Sequence, residues 1–196
     1  MMELVIALLI AYLLGSIPTG LWLGKAVKGI DIREHGSKNI GATNTLRVLG
    51  KKFGAIALAG DIGKGVLAVV VGMWLASNYT IHAPLLCGVM AIVGHSASIF
   101  CRFKGGKGVA TSTGVFLALA TIPTLLAAGV FFSVLVATRM VSAGSIAAAI
   151  TLGIAVWFFP DLGIVVQGLT TAVAVLVVAR HHSNIGRILR GEENKF

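Results

Sequence analysis

The sequence predicts an all-α integral membrane protein with seven transmembrane helices, its N-terminus outside and its C-terminus in the cytoplasm. Three observations carry this. First, 57% of the 196 residues are hydrophobic and only 12% charged, about half the charge of an ordinary soluble domain. A water-soluble fold of this size has too much surface for so little polar material. Second, the mean hydropathy is +0.94, which excludes disorder, since disorder needs low hydrophobicity and high charge. Third, apolar runs of about 20 residues, enough to cross a bilayer core, follow one another along the chain. Twenty-five glycines suit the class, because small residues let membrane helices approach closely.

The apolar runs occupy 4–24, about 53–76, 82–101, 109–137, 143–159 and 162–180. The first opens on Met-Met-Glu, with no basic stretch and no small-residue cleavage site, and reads as a retained span. Seven basic residues lie between Lys25 and Lys52, three in Arg102–Lys107, one at Arg139 and four from Arg180 onward. The connections near Ser77–Ile81 and Pro160–Asp161 carry none. The positive-inside rule puts every basic loop in the cytoplasm. The 102–107 loop and Arg139 then share a side, so 109–137 crosses an even number of times. Thr121-Ile-Pro-Thr124 is the expected bend, because proline ends or kinks a helix. Two short helices of about 14 residues follow, accommodated by tilt or thinning. No soluble domain and no internal repeat is expected. Cys87 and Cys101 lie in or beside apolar runs with no Cys/His ligand spacing, and read as buried structural thiols rather than metal ligands.

The net charge of +9 fits topology and anionic substrates in a membrane protein better than nucleic acid. Its density marks three segments. Between Lys25 and Lys52 lies Gly36-Ser37-Lys38-Asn39-Ile40-Gly41-Ala42-Thr43-Asn44. Glycines among short hydroxyl and amide side chains suit a loop that curls its N–H groups inward around an anion. Arg47 follows as a permanently charged fork. The alternative is a solvated basic loop that only sets topology. The second segment is Phe103-Lys104-Gly105-Gly106-Lys107-Gly108-Val109-Ala110-Thr111, where two lysines precede a helix N-terminus, a position that favours anions. It lacks the G-x-x-x-x-G-K spacing of a Walker A loop. The third is Arg180-His181-His182-Ser183-Asn184-Ile185-Gly186-Arg187, where His181 and Asn184 share a helix face if the helix continues. Asp61 and Lys64, three apart in the second span, read as an ion pair near the cytoplasmic end or as walls of a charged cavity. His95 reads as a structural hydrogen-bonding group. The three basic segments are expected on one membrane face, where they would take a phosphorylated substrate.

In this order the segments resemble the bacterial membrane glycerol-3-phosphate acyltransferases that use acyl phosphate as donor, the PlsY family. The resemblance runs nearly the whole chain. It includes Leu14-Gly15-Ser16-Ile17-Pro18-Thr19-Gly20, the 36–44 segment with Arg47, Gly94-His95, the 103–111 segment, and the serine pair Ser142 and Ser145. It closes with Arg180-His181-x-x-Asn184-Ile185-x-Arg187 and Gly191-x-Glu193. Lys38 stands where the family usually has glycine, and Ser98 where it usually has proline. The resemblance implies one transmembrane acyltransferase domain over 1–196 in the bacterial inner membrane. It implies transfer of a fatty acyl group from acyl phosphate to the 1-hydroxyl of glycerol 3-phosphate, beside membrane lipid, with no cofactor, metal or nucleic acid. Ser37, Arg47, Lys107, Ser145, His181 and Asn184 would line the substrate site. Of these, Ser37, Lys107, His181 and Asn184 would serve catalysis. Lys104, Gly105, Gly106 and Gly108 would complete the phosphate loop, with Asn39, Gly41, Thr43 and Asn44 contributing from the first segment.

Five residues beyond each histidine stand Ile40, Cys87, Phe100, Gly186 and Arg187, so the His-x-x-x-x-Asp pair of the soluble-headed acyltransferases is missing. No G-x-S-x-G elbow occurs either. Acyl phosphate carries its own leaving group, and phosphate can itself accept the hydroxyl proton, so substrate-assisted catalysis is expected. The rival reading is a membrane transporter of an organic phosphate anion. Polar segments gathered at one face, without inverted repeats, argue against alternating access.

Overall fold

The computed structural model describes residues 1–195. It is helical throughout, with no strand among the described residues. Ten α-helices follow in order: α1 Met2–Ser16, α2 Thr19–Lys28, α3 Ala42–Leu49, α4 Lys51–Ala76, α5 Ala83–Ser96, α6 Val109–Leu119, α7 Thr121–Thr138, α8 Val141–Ala155, α9 Gly163–Ala179 and α10 His182–Leu189. They divide into two compact units, Met1–Ala118 and the chain from Leu119 onward.

In the first unit α1, α4 and α5 pack on one another. The seam is made of small residues: Ala7 and Ala11 on α1, Ala68 and Ala76 on α4, and Ala83, Cys87 and Ala91 on α5. A Cβ on Gly15 would overlap the Ala91 backbone, and one on Gly94 would overlap the Tyr12 carbonyl. In lipid, where apolar burial drives little association, this backbone approach supplies the van der Waals contact that holds helices together. Cys87 and Cys101 are both buried free thiols, as their apolar settings suggest.

The first apolar run is not one straight span. It breaks at Ile17-Pro18, and α1 and α2 meet at 43°. Proline at 18 cannot donate the amide that would continue the α1 ladder. Reading 4–24 as one apolar run misses this, although hydropathy dips over residues 15–20 at the break. Three neighbours satisfy the polar backbone at the break. Ser98 Oγ donates to Ser16 O, Lys64 Nζ to Ile17 O, and Thr19 N to Ile17 O. Ser98, where the family usually has proline, keeps a proline-like φ of −66° and adds that bond to α1.

The 109–137 run folds as two helices, of 11 and 18 residues rather than two equal halves. The break falls at Ala120 (φ −144°, ψ 61°), just before the expected bend. Pro123 sits in the first turn of α7, where its missing N–H costs no hydrogen bond. Among the described residues five helical segments are long and apolar enough to cross a membrane, and the bent α1–α2 pair adds a sixth if it forms one span. The eleven residues of α6 reach about 16 Å, roughly half of the apolar thickness.

In the second unit α8 packs against both α7 and α9. Two short 3-10 turns, Val156–Phe158 and Pro160–Leu162, join α8 to α9. Buried Gln167 donates to Phe159 O at 3.2 Å, a carbonyl that also takes the Leu162 N–H.

Candidate active site

The first unit supplies two basic segments. In the 25–52 connection, a 3-10 turn over Ile32–Glu34 leads into the glycine-rich stretch, and α3 closes it. Asn44, buried on α3, organises the whole loop. Its Oδ1 accepts the Ser37 N–H at 2.7 Å. Its Nδ2 lies 2.8 Å from Ile32 O, 3.1 Å from His35 O and 2.8 Å from Asn39 O. Asn39 Oδ1 accepts the Gly41 N–H at 2.9 Å. The segment therefore does curl its amides inward, but onto its own side chains. What faces outward is the Ser37 hydroxyl, the Lys38 ammonium and, on α3, Arg47, all exposed. Gly41 and Thr43 are half-buried at the start of α3. Lys38 adopts φ +56°, so a non-glycine residue holds the left-handed conformation that glycine takes freely. At the loop entrance Arg33 grips Asp31 with contacts down to 2.6 Å. Hydrogen bonding to Arg33, against the opposing effect of burial, holds the Asp31 carboxyl down at about 2.

The second segment leaves α5 through a 3-10 turn at Ile99–Cys101. Arg102 and Phe103 both take left-handed φ, 52° and 61°. Gly105 N donates to Ser96 O at 3.1 Å and Gly106 N to His95 O at 3.0 Å, which pins the loop to the end of α5. These two amides are thus directed at the scaffold. Lys104 is exposed and lines a cavity of about 500 Å³ with Lys25, Arg33, Phe100, Cys101 and Arg102. Lys107 is half-buried, and Gly108 at φ +82° turns the chain into α6. The first N–H groups of α6 have no acceptor within the helix. Beside them, the Thr111 and Ser112 hydroxyls are buried with no hydrogen-bond partner among the described residues. Buried polar groups are normally satisfied, so this helix start has unmet capacity for a polar ligand. Ser112 escaped the sequence reading because nothing in a lone serine near an apolar run announces it.

The second unit holds the third segment. α9 ends at Ala179, and His181 caps a new helix, α10, rather than continuing the old one. His181 is 2% exposed, and its Nδ1 lies 2.7 Å from Val177 O. A carbonyl only accepts, so Nδ1 carries a proton there. The backbone thus does what the absent aspartate of His-x-x-x-x-Asp would do. Glu193 gathers the rest. Its Oε1 accepts from Ser142 Oγ at 2.8 Å and Asn184 Nδ2 at 2.7 Å, and its Oε2 from Arg187 Nε at 2.7 Å. Burial raises the Glu193 pKa, but these three donors outweigh it and hold the carboxyl below its ordinary value. Ser145, buried on α8, donates back to Val141 O at 2.9 Å, which leaves its oxygen as an acceptor. In the sequence Glu193 closes the third motif without a role of its own. The available signal was chemical: one carboxylate closing a segment rich in donors.

A family model described as glycerol-3-phosphate acyltransferase matches residues 5–191. The chain belongs to this family. A glycerol-3-phosphate acyltransferase of Fusobacterium nucleatum is 44% identical over 191 residues, covering 96% of each chain. One from Bacillus subtilis is 45% identical, covering 99% of this chain and 98% of its own. Among solved structures, the glycerol 3-phosphate form of PlsY, an integral membrane glycerol 3-phosphate acyltransferase, superposes with a TM-score of 0.90 at 34% identity. The match covers 98% of this chain and 95% of that one. The chain is accordingly a multi-pass membrane protein of the PlsY family.

Proposed function

We propose that this protein transfers a fatty acyl group from acyl phosphate to the 1-hydroxyl of glycerol 3-phosphate. The products are 1-acylglycerol 3-phosphate and inorganic phosphate. The observation that carries the reading in this chain is the start of α6. There a glycine-rich loop delivers Lys107 beside a helix N-terminus and two buried hydroxyls that have no hydrogen-bond partner among the described residues. That combination suits a phosphate dianion. The relative crystallised with glycerol 3-phosphate supports the choice of phosphate.

In this mechanism the hydroxyl oxygen attacks the acyl carbonyl carbon. The bond from that carbon to the phosphate oxygen breaks, and phosphate leaves with the electron pair. Phosphate, with a second pKa near 6, takes the hydroxyl proton. Lys107 and Arg47 hold the phosphate charges, which repel strongly without countercharge. Lys104 and the Gly105, Gly106 and Gly108 backbone shape the loop. Ser37 and Ser145 bond the glycerol phosphate, with Asn39, Gly41, Thr43 and Asn44 holding the Ser37 loop. Asn184 stabilises developing charge on the carbonyl oxygen, an effect worth about 10²–10³ in rate. His181, fixed at Nδ1 by Val177 O, binds phosphate through Nε2 or relays the proton.

The topology proposed is seven spans in the bacterial inner membrane, N-terminus outside. It counts the α1–α2 pair as one span and short α6 as another. A cysteine at position 139 should then label from the cytoplasmic side only. The activity test incubates the purified protein with glycerol 3-phosphate and, in turn, acyl phosphate, acyl-CoA and acyl carrier protein. Lysophosphatidic acid should form from acyl phosphate. Its formation from acyl-CoA alone overturns the donor. Unchanged rates in Lys107→Ala and Arg47→Ala overturn the phosphate clamp. His181→Gln with no turnover would make His181 an essential base, whereas weaker glycerol 3-phosphate binding with turnover partly kept makes it a binder.

A further inference from the structure

Lys64 is a charged side chain inside the apolar first unit, and the mechanism above does not use it. It is 5% exposed, and Asp61 and His95 beside it are 2% and 4% exposed. An ammonium has three donors and no acceptor. The Lys64 donors meet Asp61 Oδ1 at 2.8 Å, Ile17 O at 2.8 Å and His95 Nδ1 at 2.9 Å. Thr19 Oγ1 donates to Asp61 Oδ1 at 3.2 Å. Charge balance explains the contact with Asp61, and the helix break at Pro18 explains the contact with Ile17. Neither explains why the third donor goes to an imidazole.

The other side of that imidazole supplies the reason. With Nδ1 accepting from Lys64, the ring proton sits on Nε2. Nε2 abuts Gly106 so closely that a Cβ there would overlap it. The His95 carbonyl takes the Gly106 N–H, and the next carbonyl, Ser96 O, takes that of Gly105. Ring and backbone of one residue thus form a seat for Gly105-Gly106, and the following residue is Lys107. We propose that Lys64 and His95 are positioning residues: Lys64 locks the His95 ring, and the ring seats Gly106 so that Lys107 and the start of α6 are held for phosphate. Asp61 holds Lys64 in place through the 2.8 Å contact. The phosphate part of this rests on the function proposed above, whereas the seating of the loop does not.

The variant that separates this from simple core stability is His95→Asn. It keeps an acceptor for Lys64 near the Nδ1 position, so the α4–α5 core stays satisfied, but it removes the ring end that meets Gly106. In folded protein purified in detergent micelles, amide exchange at 105–108 should quicken about tenfold or more. The KM for glycerol 3-phosphate or for acyl phosphate should rise by a similar factor. Gly106→Ala should be harmful in the parent and less harmful in the His95→Asn background, because the overlapping ring is gone, a non-additivity expected only of groups in contact. Lys64→Met should reproduce the faster exchange, and if it does not fold, the His95→Asn and Gly106→Ala pair still decides. Unchanged exchange in His95→Asn, or equal damage from Gly106→Ala in both backgrounds, overturns the proposal. Faster exchange with both KM values unchanged leaves the seat standing and overturns the phosphate role of the loop instead.

Discussion

The loop ordered by Asn44 and the cluster ordered by Glu193 solve one problem by opposite means. Each gathers several hydrogen-bonding groups around one buried side chain. Asn44 is neutral, and its amide divides its work, one oxygen for a backbone N–H and one nitrogen for three carbonyls. Glu193 is charged and only accepts, so it collects Ser142, Asn184 and Arg187. A loop built of backbone needs both donor and acceptor from its organiser. A cluster built of side-chain donors needs only negative charge. The two isosteric exchanges between amide and carboxylate should therefore fail for different reasons.

Asn44→Asp should be the most damaging. It places an acceptor against three carbonyls and a charge in a buried site, at about 3–5 kcal/mol. Thermal unfolding in detergent should show it, and a loss no larger than that of a surface variant would break the comparison. Glu193→Gln should cost about 2–3 kcal/mol, since the hydrogen bonds lose their charge. It should also change the acid limb. The Glu193 carboxyl is depressed in the fold, so its stabilisation is complete above the ordinary value of 4.5 and is lost as pH falls through the lower folded value. Stability of Glu193→Gln should fall less steeply with pH below about 4.5 than that of the parent. An identical slope in both proteins would remove Glu193 from the account. Lys38→Gly should stabilise the first loop by about 1 kcal/mol, because glycine enters the φ +56° conformation without Cβ strain. A lower melting point would mean that the ammonium itself contributes. The smallest effect belongs to Asp31→Asn, under about 1 kcal/mol, because Arg33 is substantially solvated. That contribution should vanish only as pH falls from 3.8 toward 2.

The sequence alone determined the class, the apolar segments, the division of 109–137 and the three basic segments. Span length follows from bilayer thickness, and Pro123 marks the start of a second helix within 109–137. These are local rules, and a window of about twenty residues satisfies them. The 43° break at Pro18 needed more, because its carbonyls are answered by Lys64 and Ser98, 47 and 82 residues away. Glu193 reaches Ser142 across 51 residues, and no local pattern links them. Asn44 looked like a ligand for substrate because loop amides often are, yet its hydrogen bonds go to its own loop. Tertiary structure alone decided those pairings. A buried donor must find an acceptor somewhere, and only the packing of helices says which acceptor is within 3 Å.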